Sequence, residues 1–220
     1  MPEPTVLYRS PQATETRHEI LRTAADIASA EGLENLSIGR LATELNMSKT
    51  GVFAHFGSKQ HLQLATVDAA RQIFMEQVVK PALASPRGVK RLRSMLHSWI
   101  SYVEGVVFRG GCFFAAASAE FDSRPGPVRD EIAGLTKEWL LAIQQEITFA
   151  RSAKEIDAAI DPVQLAFELH AYVQEANWAF KLFNDKSAFT LARRAIARQI
   201  RLAAGKSARK KSNERNHTRK

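Results

Sequence analysis

The chain has 220 residues, of which 45% are hydrophobic, enough for one large folded domain or two smaller ones. No apolar run approaches the roughly 18 residues that suggest a membrane span. The N-terminus lacks the basic and apolar regions of a signal peptide. The single cysteine, Cys112, excludes an internal disulfide and fits a reducing compartment, so we expect a cytoplasmic protein.

The net charge of +8 suggests a polyanionic partner, but most of it lies at one end of the chain. Residues 205–220 contain seven Lys/Arg and one Glu, whereas residues 1–60 contain six Lys/Arg and seven Asp/Glu. Charge alone therefore does not identify a nucleic-acid-binding domain. The segment 205–220 is predicted to be a disordered basic tail, which either adds salt-dependent attraction to phosphates or is inert.

Helical periodicity extends through nearly the whole chain, and no segment shows the alternation of a strand. Residues 1–14 are expected to form a disordered arm. A first helix is predicted from Thr16 to Glu31, where Gly32 ends it. Ser37 is the predicted N-cap of a second helix, a third helix is predicted to start near Ser48 and end at Phe56, and Ser58 is predicted to cap a longer fourth helix. Later helices are predicted over 58–79, 87–108, 112–122, 127–150, 162–183 and 187–203.

Residues 38–57 have the spacing of a helix-turn-helix. Ala42 lies four residues before Asn46 and ten before Val52. A small residue lets the two helices cross closely, asparagine tolerates the left-handed conformation of the turn, and valine seals the core. The remaining apolar positions of the motif are Leu41, Leu45 and Met47. A plain helical hairpin within a bundle has the same local pattern, so the flanking sequence decides.

The flanks are "EGLENLSIGRLA" before the turn and "FAHFGSK" at the start of a long helix. With them, residues 17–64 closely resemble the N-terminal domain of the TetR family of transcriptional regulators. The rest of the chain is similar only in helical character and length. The resemblance implies an all-α fold, with a three-helix DNA-binding domain over 15–62 and a helical effector-binding and dimerisation domain over 63–204.

The same resemblance implies that Ser48–Phe56 is the recognition helix in the major groove. Lys49 and Thr50 would face the bases, the lysine donating to guanine and the threonine contacting a thymine methyl or an acceptor. The residues implied to contact the DNA backbone are Ser37, Arg40, Ser48, His55 and Lys59. For His55, helix capping or packing is an alternative role.

Two positions depart from the common family pattern. Gly51 stands where threonine often contacts phosphate, and Phe53 stands where tyrosine often does. Glycine in a helix interior costs about 1 kcal/mol relative to alanine. Gly51 either lets the backbone approach DNA closely or reflects a tolerant position. Phe53 either contacts a sugar or a thymine methyl, or belongs to the core.

A single recognition helix reads too little DNA for high affinity, so two half-sites and a dimer are expected. In the family resembled, the last two helices pair with their copies as a four-helix bundle. The residues assigned to this interface are Leu165, Leu169, Tyr172, Ala176, Phe183, Phe189, Ile196 and Ile200. The alternative is that they form only the core of one chain.

An effector pocket is predicted beside that interface, because polar side chains on a buried helix need partners. It would hold a small, largely apolar or aromatic molecule through a few hydrogen bonds. Its candidate lining is Trp99, Tyr102, Cys112, Phe113, Phe114, Trp139, Phe167, His170, Gln174, Asn177 and Trp178. The alternative is an aromatic core. Cys112, expected at a helix N-terminus, is either a reactive sensor or a small buried side chain.

No Gly-rich phosphate loop, metal-ligand spacing or hydrolase motif occurs in the sequence, so no enzyme, cofactor or metal site is expected. The sequence predicts a ligand-responsive DNA-binding regulator, most simply a repressor. It would bind a pseudo-palindromic operator as a homodimer and be released by a small-molecule effector. The alternative is a helical protein-interaction module whose basic tail attracts nucleic acid without specificity.

Overall fold

A computed structural model describes the backbone of residues 11–204 and the side chains of residues 15–204. Its helices are α1 (Pro11–Glu31), α2 (Ile38–Glu44), α3 (Lys49–Phe56), α4 (Lys59–Phe74), α5 (Lys80–Leu83), α6 (Val89–Glu104), α7 (Phe113–Phe121), α8 (Pro127–Ser152), α9 (Pro162–Phe183) and α10 (Ser187–Ala203). Within this range there is no strand, so the all-α prediction is confirmed. The predicted basic tail lies outside the described residues.

The start of α1 differs from the prediction. This helix begins at Pro11 rather than Thr16, so the expectation of a disordered arm was wrong for residues 11–14. Proline suits the first turn of a helix, because its φ is preset and an N–H there has no intrahelical acceptor.

Helical structure also continues past the expected stop before Pro81. A single π-helical turn, Met75–Val79, joins α4 to α5, which ends at Leu83. Proline lacks the N–H of a regular helical turn, and its ring clashes with the carbonyl four residues earlier. The wider turn ends one residue before Lys80 and changes this hydrogen-bond pattern, so helical structure continues through Pro81.

The turn between α2 and α3 has the predicted construction. Asn46 adopts the left-handed conformation, with a φ of 50°. The Met47 amide donates to the Ala42 carbonyl at 2.9 Å, and both Ala42 and Val52 are buried. The hydroxyl of Ser37, the predicted N-cap, accepts a backbone N–H in the first turn of α2, and the Ser48 hydroxyl does the same at the start of α3. Local sequence therefore fixes how α3 is presented.

The α6–α7 loop contacts α1 without any intervening side chain. A Cβ at Gly110 would lie only 1.8 Å from the carbonyl oxygen of Ser29, so only glycine fits. The Gly110 amide donates to the Ser29 hydroxyl at 3.0 Å. The neighbouring Arg109 amide donates to Asp26 Oδ1 at 2.8 Å. Backbone contact and hydrogen bonds together fix the start of α7 on α1.

The end of α7 is also held to the segment that follows α1. The Glu120 carboxylate accepts the N–H groups of Leu33 at 2.6 Å and Glu34 at 3.1 Å. Gly32, with a φ of 91°, turns the chain so that both amides face this carboxylate. α7 is therefore attached to α1 near both of its ends.

We expect Gly110→Ala to lower the free energy of unfolding by about 3 kcal/mol, because the new methyl group would overlap backbone of α1. Gly134→Ala is the matched control. Gly134 lies within α8 with no atom within 4 Å of an added Cβ, so alanine there should raise stability by up to about 1 kcal/mol. Urea unfolding measures both changes. Equal stability of the two variants would contradict the described packing of the α6–α7 loop.

Candidate DNA interface and effector cavity

The recognition helix α3 has one face in the core and one face in solvent. Val52 and Phe56 are buried, whereas Lys49 and Thr50 are exposed. Phe53 is 51% exposed on the same outer side, so the interpretation of this ring as core was wrong. The exposed face of α3, defined by Lys49, Thr50 and Phe53, combines an ammonium group, a hydroxyl with a methyl group, and an aromatic ring.

Lys49 is positioned to bind an external acceptor. Its aliphatic chain passes over Gly39 of α2, where Cε lies 3.5 Å from the site of an added Cβ. Among the residues that the structure describes, no carboxylate lies within ion-pair distance of its ammonium group. The absence of a side chain at Gly39 therefore leaves room for Lys49 along α2.

Gly51 has a further structural reason within the chain. Its amide donates to the Ser48 hydroxyl at 3.0 Å, which caps α3. A Cβ at Gly51 would lie 3.1 Å from that same hydroxyl oxygen, a tight contact. Glycine thus keeps the cap unstrained at the end of α3 that carries Lys49 and Thr50.

Arg40 is engaged in an ionic cluster within the chain. Its guanidinium binds Glu31 at 2.8 Å and Glu44 at 2.6 Å, and the hydrogen bond from Arg40 lowers the pKa of Glu31 below its usual value. Arg109 binds Asp26 at 3.1 Å and lies 3.5 Å from Glu31. A phosphate contact by Arg40 would require it to exchange these carboxylates.

Lys59 is also paired, with its ammonium 2.7 Å from Glu34. This hydrogen bond lowers the pKa of the Glu34 carboxyl. The His55 carbonyl accepts a hydrogen bond from Arg17 at 2.8 Å, and the Arg17 guanidinium lies 4.6 Å from the centre of the Phe56 ring. Arg17, which the sequence reasoning missed, therefore ties the end of α3 to α1.

A cavity of about 60 Å³, here called the inner chamber, lies among α4, α6, α7, α8 and α9. Its lining is Arg71, Phe74, Trp99, Cys112, Phe114, Ala115, Ser118, Leu135, Thr136, Trp139, His170 and Gln174. Six of the eleven residues predicted for the effector pocket are among them. The α4 residues Arg71 and Phe74 were not predicted, because the amphipathic pattern of α4 gives no sign of which neighbour its apolar face meets.

The aromatic rings of the inner chamber meet edge to face. The ring centre of Phe74 lies 5.0 Å from that of Trp139, and Trp99 lies 5.6 Å from Trp139. The indole N–H of Trp139 and the side-chain carbonyl of Gln174 are buried, and within the described residues neither has a hydrogen-bond partner. Buried polar groups normally have partners, so these two point to a bound molecule or to ordered water.

Burial controls both titratable groups of the inner chamber. It lowers the pKa of His170 to about 4, so the imidazole is neutral near pH 7. Burial also raises the pKa of the Cys112 thiol, and this effect outweighs the opposing amide groups of α7. A thiolate at the N-terminus of α7 is therefore disfavoured. Cys112 has the surroundings of a small buried side chain rather than of a reactive sensor.

Five of the predicted pocket residues lie elsewhere. Tyr102 and Phe113 are buried in the core without lining the inner chamber, and Asn177 Oδ1 accepts the Cys112 N–H at 3.0 Å. Phe167 and Trp178 are 66% and 52% exposed. Successive helical residues are about 100° apart, so the stripe seen in the sequence is broad. On α9, His170 and Gln174 of this stripe face the inner chamber, whereas Phe167 and Trp178 are exposed on the outside.

The predicted dimer interface needs a similar correction. Six of its eight residues are buried within the chain, namely Leu165, Leu169, Ala176, Phe189, Ile196 and Ile200. Tyr172 is half-buried, and Phe183 is 62% exposed. The large apolar side chains exposed on these two helices, here called the outer face of α9–α10, are Val163, Phe167, Trp178, Leu182, Phe183, Leu191 and Leu202. The intramolecular alternative holds for the inner stripe of both helices.

Two other kinds of feature are absent from the part of the chain that the structure describes. It contains no group of three His, Cys, Asp or Glu side chains placed to hold a metal ion. None of its helices is long and apolar enough to cross a membrane.

Solved structures with similar folds include a TetR transcriptional regulator from Chloroflexus aurantiacus, with a TM-score of 0.82 and 22% identity over 89% of this chain and 98% of that one. AibR, solved with isovaleryl coenzyme A and operator DNA, has a TM-score of 0.64 and 24% identity over 82% of this chain and 95% of that one. A regulator from Saccharomonospora viridis, solved with choline, has a TM-score of 0.68 and 20% identity over 86% of this chain and 96% of that one. At such identities the likeness concerns the fold.

Family models identify the sequence itself. Residues 20–66 match the model described as "Bacterial regulatory proteins, tetR family". Residues 88–196 match "Tetracyclin repressor-like, C-terminal domain". No curated protein sequence matches the chain significantly. Because the two models cover both the helix-turn-helix and most of the helices that follow, this chain belongs to the TetR family of transcriptional regulators.

Proposed function

We propose that this protein is an effector-responsive repressor that binds a pseudo-palindromic operator as a homodimer. The observation that carries this proposal is the exposed face of α3. Lys49, Thr50 and Phe53 share that face, while Val52 and Phe56 hold the opposite side of the helix in the core. The Ser48 cap and the Asn46 turn fix the orientation of α3.

The exposed face of α3 offers the chemistry of base readout. The Lys49 ammonium donates to guanine O6 or N7, and the Thr50 methyl contacts a thymine methyl. The Phe53 ring packs on a sugar or on a thymine methyl. Ser37, Ser48, His55 and Lys59 flank this face and supply backbone contacts, which set the register on DNA. Arg40 joins them once phosphate replaces its carboxylate partners.

The outer face of α9–α10 supports a homodimer. Seven large apolar side chains are exposed on these two helices, among them Phe167 and Trp178. An exposed apolar surface of this kind typically marks an interface, because covering it removes apolar area from water. A two-fold axis across this face would place two copies of α3 on successive half-sites.

The inner chamber supports effector control. Arg71 and Phe74 belong to α4, and Phe114 and Ala115 belong to α7. Both helices pack against α1. A molecule bound in the chamber would therefore shift α4 and α7 relative to α9, change the separation of the two α3 helices and lower operator affinity. The shift is a change in the populations of two conformations, with the effector favouring the one that does not fit the operator.

Operator binding is tested first by selecting from a randomised duplex library at near-physiological salt. We expect the full chain to retain a two-fold symmetric motif. Lys49→Ala and Thr50→Ala should each lower affinity for this motif about tenfold or more, because each substitution removes base contacts in both half-sites. Binding to unrelated duplex DNA should change little. Fluorescence anisotropy with the selected duplex measures these affinities.

Lys137→Ala is the matched control, since Lys137 is an exposed lysine of α8 and far from α3 in sequence. It should leave affinity for the motif unchanged. Retention of DNA without any motif, abolished by ending the chain at residue 204, would instead show that the basic tail binds DNA. The protein would then be a helical interaction module rather than a repressor.

The dimer is tested by Phe167→Glu, which places a charge on the outer face of α9–α10. We expect the chain to become monomeric at micromolar concentration, because a buried unpaired carboxylate strongly destabilises an apolar interface. Analytical ultracentrifugation measures the change. Leu141→Glu, on an exposed apolar residue of α8, is the control and should remain dimeric. A dimeric Phe167→Glu variant would place the interface on another surface.

A further inference from the structure

An open groove of about 540 Å³ adjoins the inner chamber. Four residues, Arg71, Phe74, Leu135 and Trp139, line both spaces. Apolar side chains form much of the groove, among them Met75, Val79, Leu83 and Met95. The inner chamber and the groove are therefore neighbouring parts of one larger site.

The two volumes limit how a molecule fits this site. A space that holds one water molecule needs about 10–15 Å³ on this measure, so the 60 Å³ of the inner chamber accepts only a few non-hydrogen atoms. The groove, at about 540 Å³, has the size of a typical small-molecule site. An occupant of ordinary size would place one tip in the inner chamber and its body in the groove.

Two of the three arginines in the groove already have partners. The buried carboxylate of Glu146 accepts hydrogen bonds from Arg87 Nε at 3.0 Å and from the Gly88 amide at 2.9 Å. Arg91 lies 3.7 Å from the same carboxylate and donates to the Ser85 carbonyl at 2.9 Å. Arg87 and Arg91 therefore hold α6 against α8.

Arg71 differs from both, because among the described residues its guanidinium donates no hydrogen bond, and its nearest carboxylate, that of Glu138, lies 3.9 Å away. That distance is too long for a hydrogen bond. The Arg71 side chain is 43% exposed and lies where the inner chamber meets the groove. A guanidinium in this position can bind a carboxylate through two parallel hydrogen bonds.

We propose that the site takes an amphipathic organic acid, which binds its carboxylate to Arg71 and inserts an apolar or aromatic tip into the inner chamber. The body of the acid lies over Met75 and Leu83 in the groove. The Trp139 N–H and the Gln174 carbonyl pair with polar atoms near the tip. This assignment rests on the proposed function only in calling the ligand an effector. Binding of the acid itself is measured without DNA.

The charge of the site disfavours the opposite ligand class. A cation would meet Arg71 at the junction, and the inner chamber holds no carboxylate among its lining residues. His170, which faces Trp99 with 5.0 Å between ring centres, is neutral near pH 7. The only loosely held carboxylate of the groove is that of Glu138. An anion gains an attraction at Arg71 that a cation of the same shape loses.

The test compares three molecules with one skeleton, 6-phenylhexanoic acid, its primary amide and 6-phenylhexylamine, at pH 7.5. Isothermal titration calorimetry with the full chain measures their affinities. We expect the acid to bind about tenfold or more tightly than the amide, and the amine to bind least. Arg71→Gln should remove the preference for the acid and change the affinity for the amide by no more than about twofold. Arg71→Lys should keep part of the preference for the acid.

Arg129→Gln is the matched control, because the Arg129 side chain is 45% exposed on α8 and lines neither space. It should bind all three molecules as the unchanged protein does. Trp139→Phe keeps the ring but removes the N–H donor, so it should weaken the acid and the amide several-fold. Circular dichroism melting confirms that each variant is folded.

Three results would overturn the assignment. They are equal binding of acid and amide, tighter binding of the amine, and no measurable binding of the acid at millimolar concentration. An acid preference that survives in Arg71→Gln would overturn the role of Arg71. The outcome of the duplex DNA selection does not depend on acid binding. If the protein bound the acid but selected no DNA motif, the repressor proposal would be contradicted and the ligand assignment would remain supported.

Discussion

The backbone contact between Gly110 and Ser29 is the constraint on which the relation between the DNA-binding helices and the rest of the protein depends. No side chain fits between them, since a Cβ at Gly110 would lie 1.8 Å from the Ser29 carbonyl oxygen. The hydrogen bonds of Arg109 and Glu120 hold the two ends of the same unit. A close-packed backbone contact has little freedom to slide, so it restrains α7 against α1.

The four loop residues 109–112 also contact α9 and the inner chamber. Lys181 of α9 donates to the Arg109 carbonyl at 2.6 Å, and Asn177 of α9 accepts the Cys112 N–H at 3.0 Å. Cys112 itself lines the inner chamber. In the proposed mechanism, a molecule that fills the inner chamber contacts the start of α7. This point lies between α1 and α9, the helix that carries the outer face. Coupling is then carried by one short segment with defined contacts.

The sequence was sufficient where structure depends on nearby residues. The Ser37 cap, a left-handed asparagine and a buried alanine and valine act over ten residues or fewer, and all took their predicted places in the helix-turn-helix. Pro81 was misjudged, because its acceptance in a helix depends on the π-helical turn before it. On α9, apolar residues occupy most of the circumference, so periodicity shows a buried helix without showing which side meets the chain and which side remains exposed.

Two arginines show why the functional surfaces needed the structure. Family resemblance singled out Arg40, yet its guanidinium binds two carboxylates at 2.6 and 2.8 Å in a cluster completed by Arg109, far along the chain. Nothing in the sequence singled out Arg71, whose nearest carboxylate lies 3.9 Å away at the mouth of the inner chamber. The availability of a charged side chain depends on its long-range partners. An arginine whose carboxylate is loosely held exchanges it for a ligand at less cost than one bound on both sides.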